Sequence, residues 1–378
     1  MSEGRKLRRR GCRFAVAVLL AIGTAWPASP AAAFGTIDGA GQHREHERIT
    51  RAALACGGDA GPGVQCFQPT TMDYLAGHDR EFGAVGAPDS DEISVPAAHC
   101  DDGDFLEGGY PRTRELATAT ILDCVDHLRV RLGEAVDAAG ALLDDDGQVI
   151  AAEVDVVPEC SPREVMEQRA KCSSLEAFGR ILHGAQDFYA HSNWADEADP
   201  TRPIGVDNPP GLNLPGPSPV LDLGSGSAPT VPAGLTTGCF VLRDEVPGVG
   251  KCAERVTHAA LNKDTGLVDT ETGETTEPTT PRGIVGNNFA QAVAGAIDES
   301  RRQWEDLRTE LTIRYGEDDA ARMACALTHD DPVDDCRDRG WIPVLLRVGA
   351  VVAALSVVPL LLIPGRRRAS ARPVAQSG

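Results

Sequence analysis

In the segment ILHGAQDFYAHSNWAD, residues 181–196, the metal-capable residues His183, Asp187 and His191 recur at intervals of four. An α-helix has 3.6 residues per turn, so a step of four rotates the chain only about 40° beyond a full circle and the three side chains share a face. The neighbouring stripe is apolar and predicts contact with the core: Phe178, Ile181, Ala185 and Phe188. The pattern therefore predicts a buried helix that carries side chains able to bind metal.

The length of this face predicts more than one metal ion. His183 and His191 lie about 12 Å apart along the helix axis, which is too far for both to bind one ion comfortably. His183 and Asp187 are one turn apart and suit one ion, whereas His191 pairs with Asp187 or with a distant partner. Unrelated polar residues of the core or surface are the alternative interpretation, but three such residues at this spacing in an exported protein favour metal.

Helical periodicity dominates the rest of the chain. Amphipathic patterns cover residues 43–56, 112–143 and 288–315. Ser173 and Glu176 form a capping-box pattern ahead of a helix over residues 175–191. These patterns predict a mostly α fold.

Two segments of low helical content interrupt this pattern. Residues 196–256 are rich in proline and glycine, and residues 265–281 form a second low-complexity loop. Candidate metal ligands occur on both sides of the first segment, so we interpret it as a long surface excursion of one domain rather than a domain boundary.

The two ends of the chain predict export and membrane attachment. Residues 1–33 combine a basic start, the apolar run FAVAVLLAIGTAW and a small-residue cleavage site, which indicates a signal peptide cut before Phe34. Residues 341–364 predict a transmembrane helix, and the arginines of residues 365–378 predict a cytoplasmic basic tail. Residues 34–340 are then an extracellular domain of a single-pass cell-membrane protein. A buried C-terminal helix of a soluble protein is the alternative.

The charge of the predicted extracellular domain is strongly acidic. The chain has 36 basic and 56 acidic residues. Six basic residues and one acidic residue belong to the signal peptide, and five arginines belong to residues 341–378. This leaves 25 basic against 55 acidic groups, a net charge of -30. Such a surface repels polyanions at long range, so no nucleic-acid partner is expected.

The cysteines predict disulfides rather than thiolate metal sites. One of the eleven, Cys12, lies in the signal peptide, and an even number of ten remains in the exported part. Their spacing favours local pairs, although sequence alone does not fix the connectivity: 56–66, 100–124, 160–172, 239–252 and 325–336.

Several segments resemble the Het-C and CinY-type proteins, which belong to the superfamily of zinc-dependent phospholipase C and the single-strand-specific zinc nucleases. The segments are HGAQDFYAHSNW, GQHREHERITRAAL, VGAPDSDEIS with AHCDDGDF, and THAALNKD, in the same order as in the CinY-type group. The resemblance covers most of residues 34–320. It implies a zinc-dependent phospholipase C-like helical domain around two to three Zn²⁺ ions, and the cysteine count adds disulfide staples to this domain.

The resemblance also implies the ligands of each ion. The first zinc would have four protein ligands: Asp89, His99, His183 and Asp187. His46 would bind the second zinc with Asp187 as the bridge, together with the amino group and carbonyl of Phe34 if cleavage makes it the first residue. His191 and His258 would bind the third.

The chain departs from the family pattern at this third site. One turn after His258 stands Asn262, where the resemblance implies a carboxylate. Either Asp264 substitutes for it, or the third site is weak or empty, which puts catalysis in doubt more than the fold. Asp89 is the candidate general base for an attacking water, and Asp91 competes for that role.

Two function classes follow from these patterns. The first is a membrane-anchored extracellular zinc-dependent phosphoesterase that hydrolyses phosphodiesters as phospholipase C does, with phospholipid head groups as the preferred substrate. The second is a non-catalytic cell-surface interaction module of the same fold, stabilised by metal. Asn262 favours the second class, and the other ligand-type residues favour the first.

Overall fold

The structure is a computed structural model that describes residues 34–39, 41–57, 65–156, 160, 169–240 and 250–337. Helices dominate this part of the chain, and the strands are pairs of two residues each, so the prediction of a mostly α fold is confirmed. The α-helices are α1 (Glu45–Leu54), α2 (Pro69–Ala76), α3 (Pro88–Asp91), α4 (Arg114–Ala139), α5 (Ala170–His191), α6 (His258–Leu261), α7 (Asn288–Tyr315), α8 (Glu317–Thr328) and α9 (Pro332–Asp335). The antiparallel strand pairs are β1 (Asp38–Gly39) with β2 (Gln42–His43), β3 (Gly77–His78) with β4 (Glu81–Phe82), and β5 (Leu267–Val268) with β6 (Thr275–Thr276).

Helix α5, which carries the quoted stretch, lies at the centre of the fold. All of its residues except Ser173 and Glu176 are buried. It packs against α4, α7 and the short turn Ala84–Gly86. The apolar stripe of α5 belongs to one hydrophobic cluster, and Phe188 is part of it, as predicted. Since the helix is enclosed on every side, its polar side chains are buried together with its apolar ones.

Two glycines of α5 allow other segments to approach it closely. A Cβ atom on Gly179 would lie 2.5 Å from the carbonyl carbon of Ala84, and one on Gly184 would lie 2.7 Å from the carbonyl oxygen of Ala98. Real Cβ atoms do not tolerate such distances to backbone, so these positions require glycine. The approach at Gly184 brings the residue after Ala98, His99, to the polar face of α5.

The predicted helix boundaries agree with the structure at most ends. The pattern over residues 288–315 matches α7 (Asn288–Tyr315), and those over residues 43–56 and 112–143 contain α1 and α4. The capping-box prediction was wrong. Helix α5 begins at Ala170 with Arg169 as its N-cap residue, and Glu176 instead pairs with Arg180.

The segment after α5 packs more closely against the helices than the predicted surface excursion implies. Within residues 192–240 several residues are buried: Asn193, Asn208, Ser218, Val220, Leu221, Leu235, Thr236 and Thr237. Asn193 organises this segment, because its side-chain amide donates to the carbonyls of Pro210 and Gly234 and accepts from the backbone N–H of Thr236. Buried backbone N–H and C=O groups need hydrogen-bond partners, and in this segment the side chain of Asn193 supplies them where regular secondary structure is absent.

The five cysteine pairs favoured by their spacing all lie at disulfide-bonding distance. They are Cys56–Cys66, Cys100–Cys124, Cys160–Cys172, Cys239–Cys252 and Cys325–Cys336. Each bridge closes a loop of 10 to 24 residues, so each restrains the unfolded chain locally.

The predicted signal peptide and transmembrane helix lie outside the described residues. The same holds for the basic tail at residues 365–378. Among the described helices, none combines the length and apolar character that a bilayer crossing requires.

A buried ion-pair cluster fixes the chain that follows α5 and α6. The ammonium group of Lys263 lies 3.0 Å from Asp196, and the guanidinium group of Arg282 makes two hydrogen bonds of 2.8 Å to the same carboxylate. Lys263 also donates to the carbonyls of Ser192 and Leu261. This cluster joins the end of α5 to the end of α6, where candidate metal ligands stand.

Lys171, near the start of α5, gives the fold a pH dependence. The side chain is fully buried and donates to Thr71 and to the carbonyl of His329. Burial lowers the pKa of Lys171 from 10.5 to about 8. Between these values the unfolded chain keeps the proton that the folded chain has released, so raising the pH through this window favours folding.

We therefore expect the wild-type protein to gain free energy of unfolding relative to Lys171→Met as the pH rises from about 8 to 10.5. Below pH 8 both states of the wild type are protonated, and the difference between the two proteins should be constant. Urea unfolding of both proteins at several pH values measures this difference. If the free energies of unfolding of the two proteins differ by the same amount at every pH, the lowered pKa of Lys171 in the folded state is contradicted.

Candidate metal centre

Ligand-type side chains from several elements converge on the polar face of α5. They come from α1, α3, the chain after Ala98 and α6, and with the residues of α5 they form two groups. The first centre contains His46, Asp89, His99, His183 and Asp187, and the second centre contains Asp101, His191 and His258. The first centre combines two sets of three residues that share His183: His46, His183 and Asp187, and Asp89, His99 and His183. In each of these sets, and in the second centre, one ligand atom per residue lies within 4.8 Å of the others. His183 belongs to the first centre and His191 to the second, which agrees with the prediction that these two residues are too far apart to share one ion.

Asp187 is the central residue of the first centre. Its Oδ2 atom lies 2.9 Å from His99 Nδ1 and 3.0 Å from His183 Nε2, and these two nitrogens are 2.9 Å apart. Ligand atoms bound tetrahedrally to one zinc ion lie roughly 3.3–3.5 Å apart, since each bond is about 2.0–2.2 Å long. Asp89 Oδ1 lies 3.8 Å from the same His183 nitrogen. The four residues therefore have the spacing of a metal-binding set.

The second oxygen of Asp187 faces a different histidine. Asp187 Oδ1 lies 3.2 Å from His46 Nε2. The other ring nitrogen of His46 lies 2.8 Å from the side-chain oxygen of Gln186, whose amide group donates to Thr50 and Ser300. The hydroxyl group of Ser300 donates to the carbonyl of Ala296, so Ser300 acts as an acceptor toward the amide group of Gln186. This fixes the orientation of the Gln186 amide.

This orientation fixes the tautomer of His46. Because the Gln186 oxygen only accepts, His46 Nδ1 carries the proton, and in the neutral ring Nε2 presents a lone pair to the Asp187 carboxylate. His183 repeats the arrangement, since its Nδ1 donates to the carbonyl of Val85 at 2.8 Å and its Nε2 faces Asp187. Two lone pairs thus point at one carboxylate, and only a cation, either protons or metal ions, makes that arrangement favourable.

The second centre surrounds the end of α5. His191 Nδ1 lies 3.3 Å from Asp101 Oδ1, and the rings of His191 and His258 have centroids 3.9 Å apart. Asp264 Oδ1 lies 3.1 Å from the opposite ring nitrogen, His191 Nε2. The two nitrogens of an imidazole point in different directions, so Asp264 orients the ring while Nδ1 faces the centre.

Buried polar atoms without a hydrogen-bond partner concentrate at these two centres. The first centre has His46 Nε2, His99 Nε2 and Asp187 Oδ1, and the second has Asp101 Oδ1, His191 Nδ1 and His258 Nδ1. Leaving such an atom unsatisfied costs about 1–3 kcal/mol. Ring nitrogens and carboxylate oxygens are the ligands of divalent transition metals, so the residues of both centres fit metal ions.

The pKa values show how strongly the carboxylate and imidazole groups interact. Burial opposes ionisation of Asp187, but the surrounding histidines, His183 first among them, hold its pKa well below the usual range. Burial also opposes the charged form of His99, yet its hydrogen bond to Asp187 raises the pKa of His99 to about 9. Burial and the neighbouring His191 hold the pKa of His258 well below its usual range, so that ring is neutral and ready to bind metal. A metal ion bound through His99 would displace its proton, and metal affinity should therefore fall as the pH is lowered.

Asp89 connects the first centre with solvent. Its side chain is 16% exposed, whereas those of His46, His183 and Asp187 are at most 1% exposed. The hydroxyl group of Thr36 donates to Asp89 Oδ2, which leaves Oδ1 toward the centre. Asp89 is therefore the side chain of the first centre that is most accessible to solvent.

The N-terminal segment lies against the first centre. The ring of Phe34 is fully buried and meets the ring of His46 edge to face at 5.9 Å between centroids. The backbone N–H of His46 donates to the carbonyl of Gly35. The predicted ligand role of Phe34 requires cleavage before it and stays a prediction.

Several other sequence-predicted residues lie outside the two centres. Asn262 accepts from the backbone N–H of Asp264 through its side-chain oxygen. Asp91 pairs with Arg180 through both carboxylate oxygens. The geometry therefore favours Asp89 over Asp91 as the candidate general base. Trp194 is buried and donates to the carbonyl of Pro215.

Sequence reasoning missed Asp101 and Gln186. Gln186 directly precedes the predicted ligand Asp187 in the chain, and this position was the only sequence signal for its contact with His46. Asp101 stands in AHCDDGDF between the predicted ligand His99 and two further aspartates, so its residue type alone does not distinguish it.

Comparisons with protein families, with curated proteins and with solved structures find no match to this chain.

Proposed function

We propose that the protein is a metal-dependent phosphodiesterase whose described residues build a zinc-dependent phospholipase C-like domain. Zinc is the metal we propose for both centres, with two to three ions in all. The observation that carries the proposal is Asp187, a buried carboxylate with lone pairs of His46 and His183 directed at its two oxygens. A carboxylate bridging two cations accounts for this geometry, and the resemblance to the Het-C and CinY-type proteins supports it.

The chemistry proposed for the first centre follows from its ligands and its opening. Bound divalent cations would supply Lewis acidity and neutralise the charge of a phosphodiester. Asp89 lies at the solvent side, where its carboxylate would accept the proton of an attacking water. Thr36 orients this carboxylate by donating to Oδ2. His46, His183 and Asp187 are buried too deeply for direct proton exchange with solvent.

Phospholipid head groups are the substrate class that we propose. A span at residues 341–364 would hold the domain at the outer face of the cell membrane, next to such substrates. The acidic surface of residues 34–340 disfavours a nucleic-acid substrate. A metal-stabilised interaction module that lacks catalysis is the second candidate, because Asn262 stands where the resemblance implies a carboxylate.

Hydrolysis of a chromogenic phosphocholine ester by the full-length protein, purified in detergent with zinc, tests the proposal. We expect turnover that chelation abolishes and zinc restores, with weaker turnover of a single-stranded oligonucleotide. Protein that contains its full complement of metal but hydrolyses neither substrate would favour the interaction module.

A further inference from the structure

The second centre has a carboxylate that the family resemblance does not supply. Asp101 Oδ1 is buried, lies 3.3 Å from His191 Nδ1 and has no hydrogen-bond partner. His191 Nδ1 and His258 Nδ1 are also buried without partners. One ligand atom from each of the three residues lies within 4.8 Å of the others, and all three side chains are at least nine-tenths buried.

We propose that Asp101, His191 and His258 form a metal site in which Asp101 takes the place of the carboxylate missing at Asn262. This inference rests on the proposed metal-dependent function and names the ligand set of its third ion. Asp264 acts differently, because it contacts His191 Nε2 on the far side of the ring and positions the imidazole.

The backbone around Asp101 is built to direct its side chain. The residues on either side, Cys100 and Asp102, have φ angles of 52° and 65°, in the left-handed region that non-glycine residues rarely adopt. Such conformations persist only where surrounding contacts enforce them. Here Cys100 is bonded to Cys124 in α4, and the backbone N–H of Asp102 donates to the carbonyl of Gly238. The turn sends His99 to the first centre and Asp101 to the second.

Gly238 holds the three ligand-bearing segments together. Its N–H donates to the carbonyl of His191, and its carbonyl accepts from Asp102. A Cβ atom at this position would lie 2.4 Å from the Cα atom of His258, so only glycine allows the contact. The next residue, Cys239, is bonded to Cys252, which anchors the segment. A frame of this kind fixes ligand positions before any ion binds.

Metal content of isosteric variants of the full-length protein tests the proposal. After dialysis without chelator, we expect Asp101→Asn to contain about one equivalent less zinc than the wild type, while the first centre stays filled. Asn262→Asp should leave the zinc content unchanged, because the ligand set is already complete. Asp264→Asn should keep the stoichiometry but weaken zinc binding by about 10–100-fold.

A pair of glycine variants tests separately whether the backbone contacts of Gly238 position the ligands. Gly238→Ala should lose the same equivalent of zinc as Asp101→Asn. Gly226→Ala is the matched control, since a Cβ atom there meets nothing within 4 Å, and it should retain all of the zinc. Thermal unfolding in excess chelator shows whether each variant folds, and a cooperative transition in Asp101→Asn would show that its loss of zinc does not come from unfolding.

The outcomes separate this inference from the proposed function. Wild-type zinc content in Asp101→Asn, or an extra equivalent in Asn262→Asp, would overturn the role of Asp101 and leave the phosphodiesterase proposal standing. Wild-type protein without bound metal would overturn both. Loss of one equivalent in Asp101→Asn supports the inference whether or not the protein hydrolyses phosphodiesters.

Discussion

Asp187→Asn is expected to reduce the bound metal by more than one equivalent. Both carboxylate oxygens of Asp187 face candidate ligands, Oδ1 toward His46 and Oδ2 toward His99 and His183. The amide keeps the volume, but it replaces one oxygen by a donor and removes the negative charge. Two ions therefore lose a ligand through one substitution. Elemental analysis of the full-length variant measures the effect.

The same variant should also lose thermal stability in the presence of metal. Ligands that bind only the folded state at 100 to 1,000 times their Kd stabilise it by about 3–4 kcal/mol each. In excess chelator the difference from the wild type should be smaller, because only the contacts of Asp187 with the surrounding histidines are then lost. A large destabilisation that persists in chelator would indicate a purely structural role for Asp187.

Asp91→Asn is the matched control for Asp187→Asn. Asp91 belongs to the same part of the fold but pairs with Arg180, and its side chain is 45% exposed. We expect unchanged metal content and a stability change within about 1 kcal/mol, as for other partly exposed ion pairs.

Asp89→Asn is expected to lower kcat for phosphodiester hydrolysis by about 10²–10⁴-fold, the usual contribution of a general base. Asp89 is at the solvent side of the first centre, and its carboxylate is the group that would accept the proton of the attacking water. At most one metal equivalent should weaken, since His99, His183 and Asp187 remain. Steady-state kinetics on the chromogenic ester, with metal content measured in parallel, separates the two effects.

Thr36→Val provides the comparison for Asp89. It removes the hydroxyl group that donates to Asp89 Oδ2 but leaves the carboxylate in place. We expect a smaller decrease in kcat than for Asp89→Asn and no change in metal content. Full activity of Asp89→Asn would assign the proton acceptor to another group.

The sequence predicted the parts of the molecule that depend on local periodicity. The interval of four in His183, Asp187 and His191 places these residues on one buried face, and the pattern over residues 288–315 gives the bounds of α7. Close cysteine spacing likewise suggested the five local pairs, because short loops close at low entropic cost.

The start of α5 depends on contacts that no local pattern reports. Ser173 and Glu176 resemble a capping box, but Lys171 is fully buried and bonded to Thr71 and His329, both far away in the chain. These contacts stabilise additional helical residues before Ser173. The long segment after α5 is similar, since the side chain of Asn193 satisfies backbone groups more than 15 residues away.

Asp101 could not be distinguished from its neighbours by residue type. AHCDDGDF contains three aspartates, and the structure gives them different partners. Asp104 pairs with Arg112 and Arg255, Asp102 pairs with Lys251, and Asp101 faces His191. The left-handed φ angles that flank Asp101 cause this separation, and they depend on a disulfide and on hydrogen bonds to distant residues.

The metal content of the wild-type protein tests the central claim most directly. The full-length protein, produced with zinc, purified in detergent and dialysed without chelator, is analysed for all transition metals. We expect about two to three equivalents of zinc per chain. The zinc should be lost on acidification, because its ligands must be deprotonated to bind it. Less than about half an equivalent of any transition metal would contradict this expectation, because the facing lone pairs of His46, His183 and Asp187 would then be satisfied by protons alone.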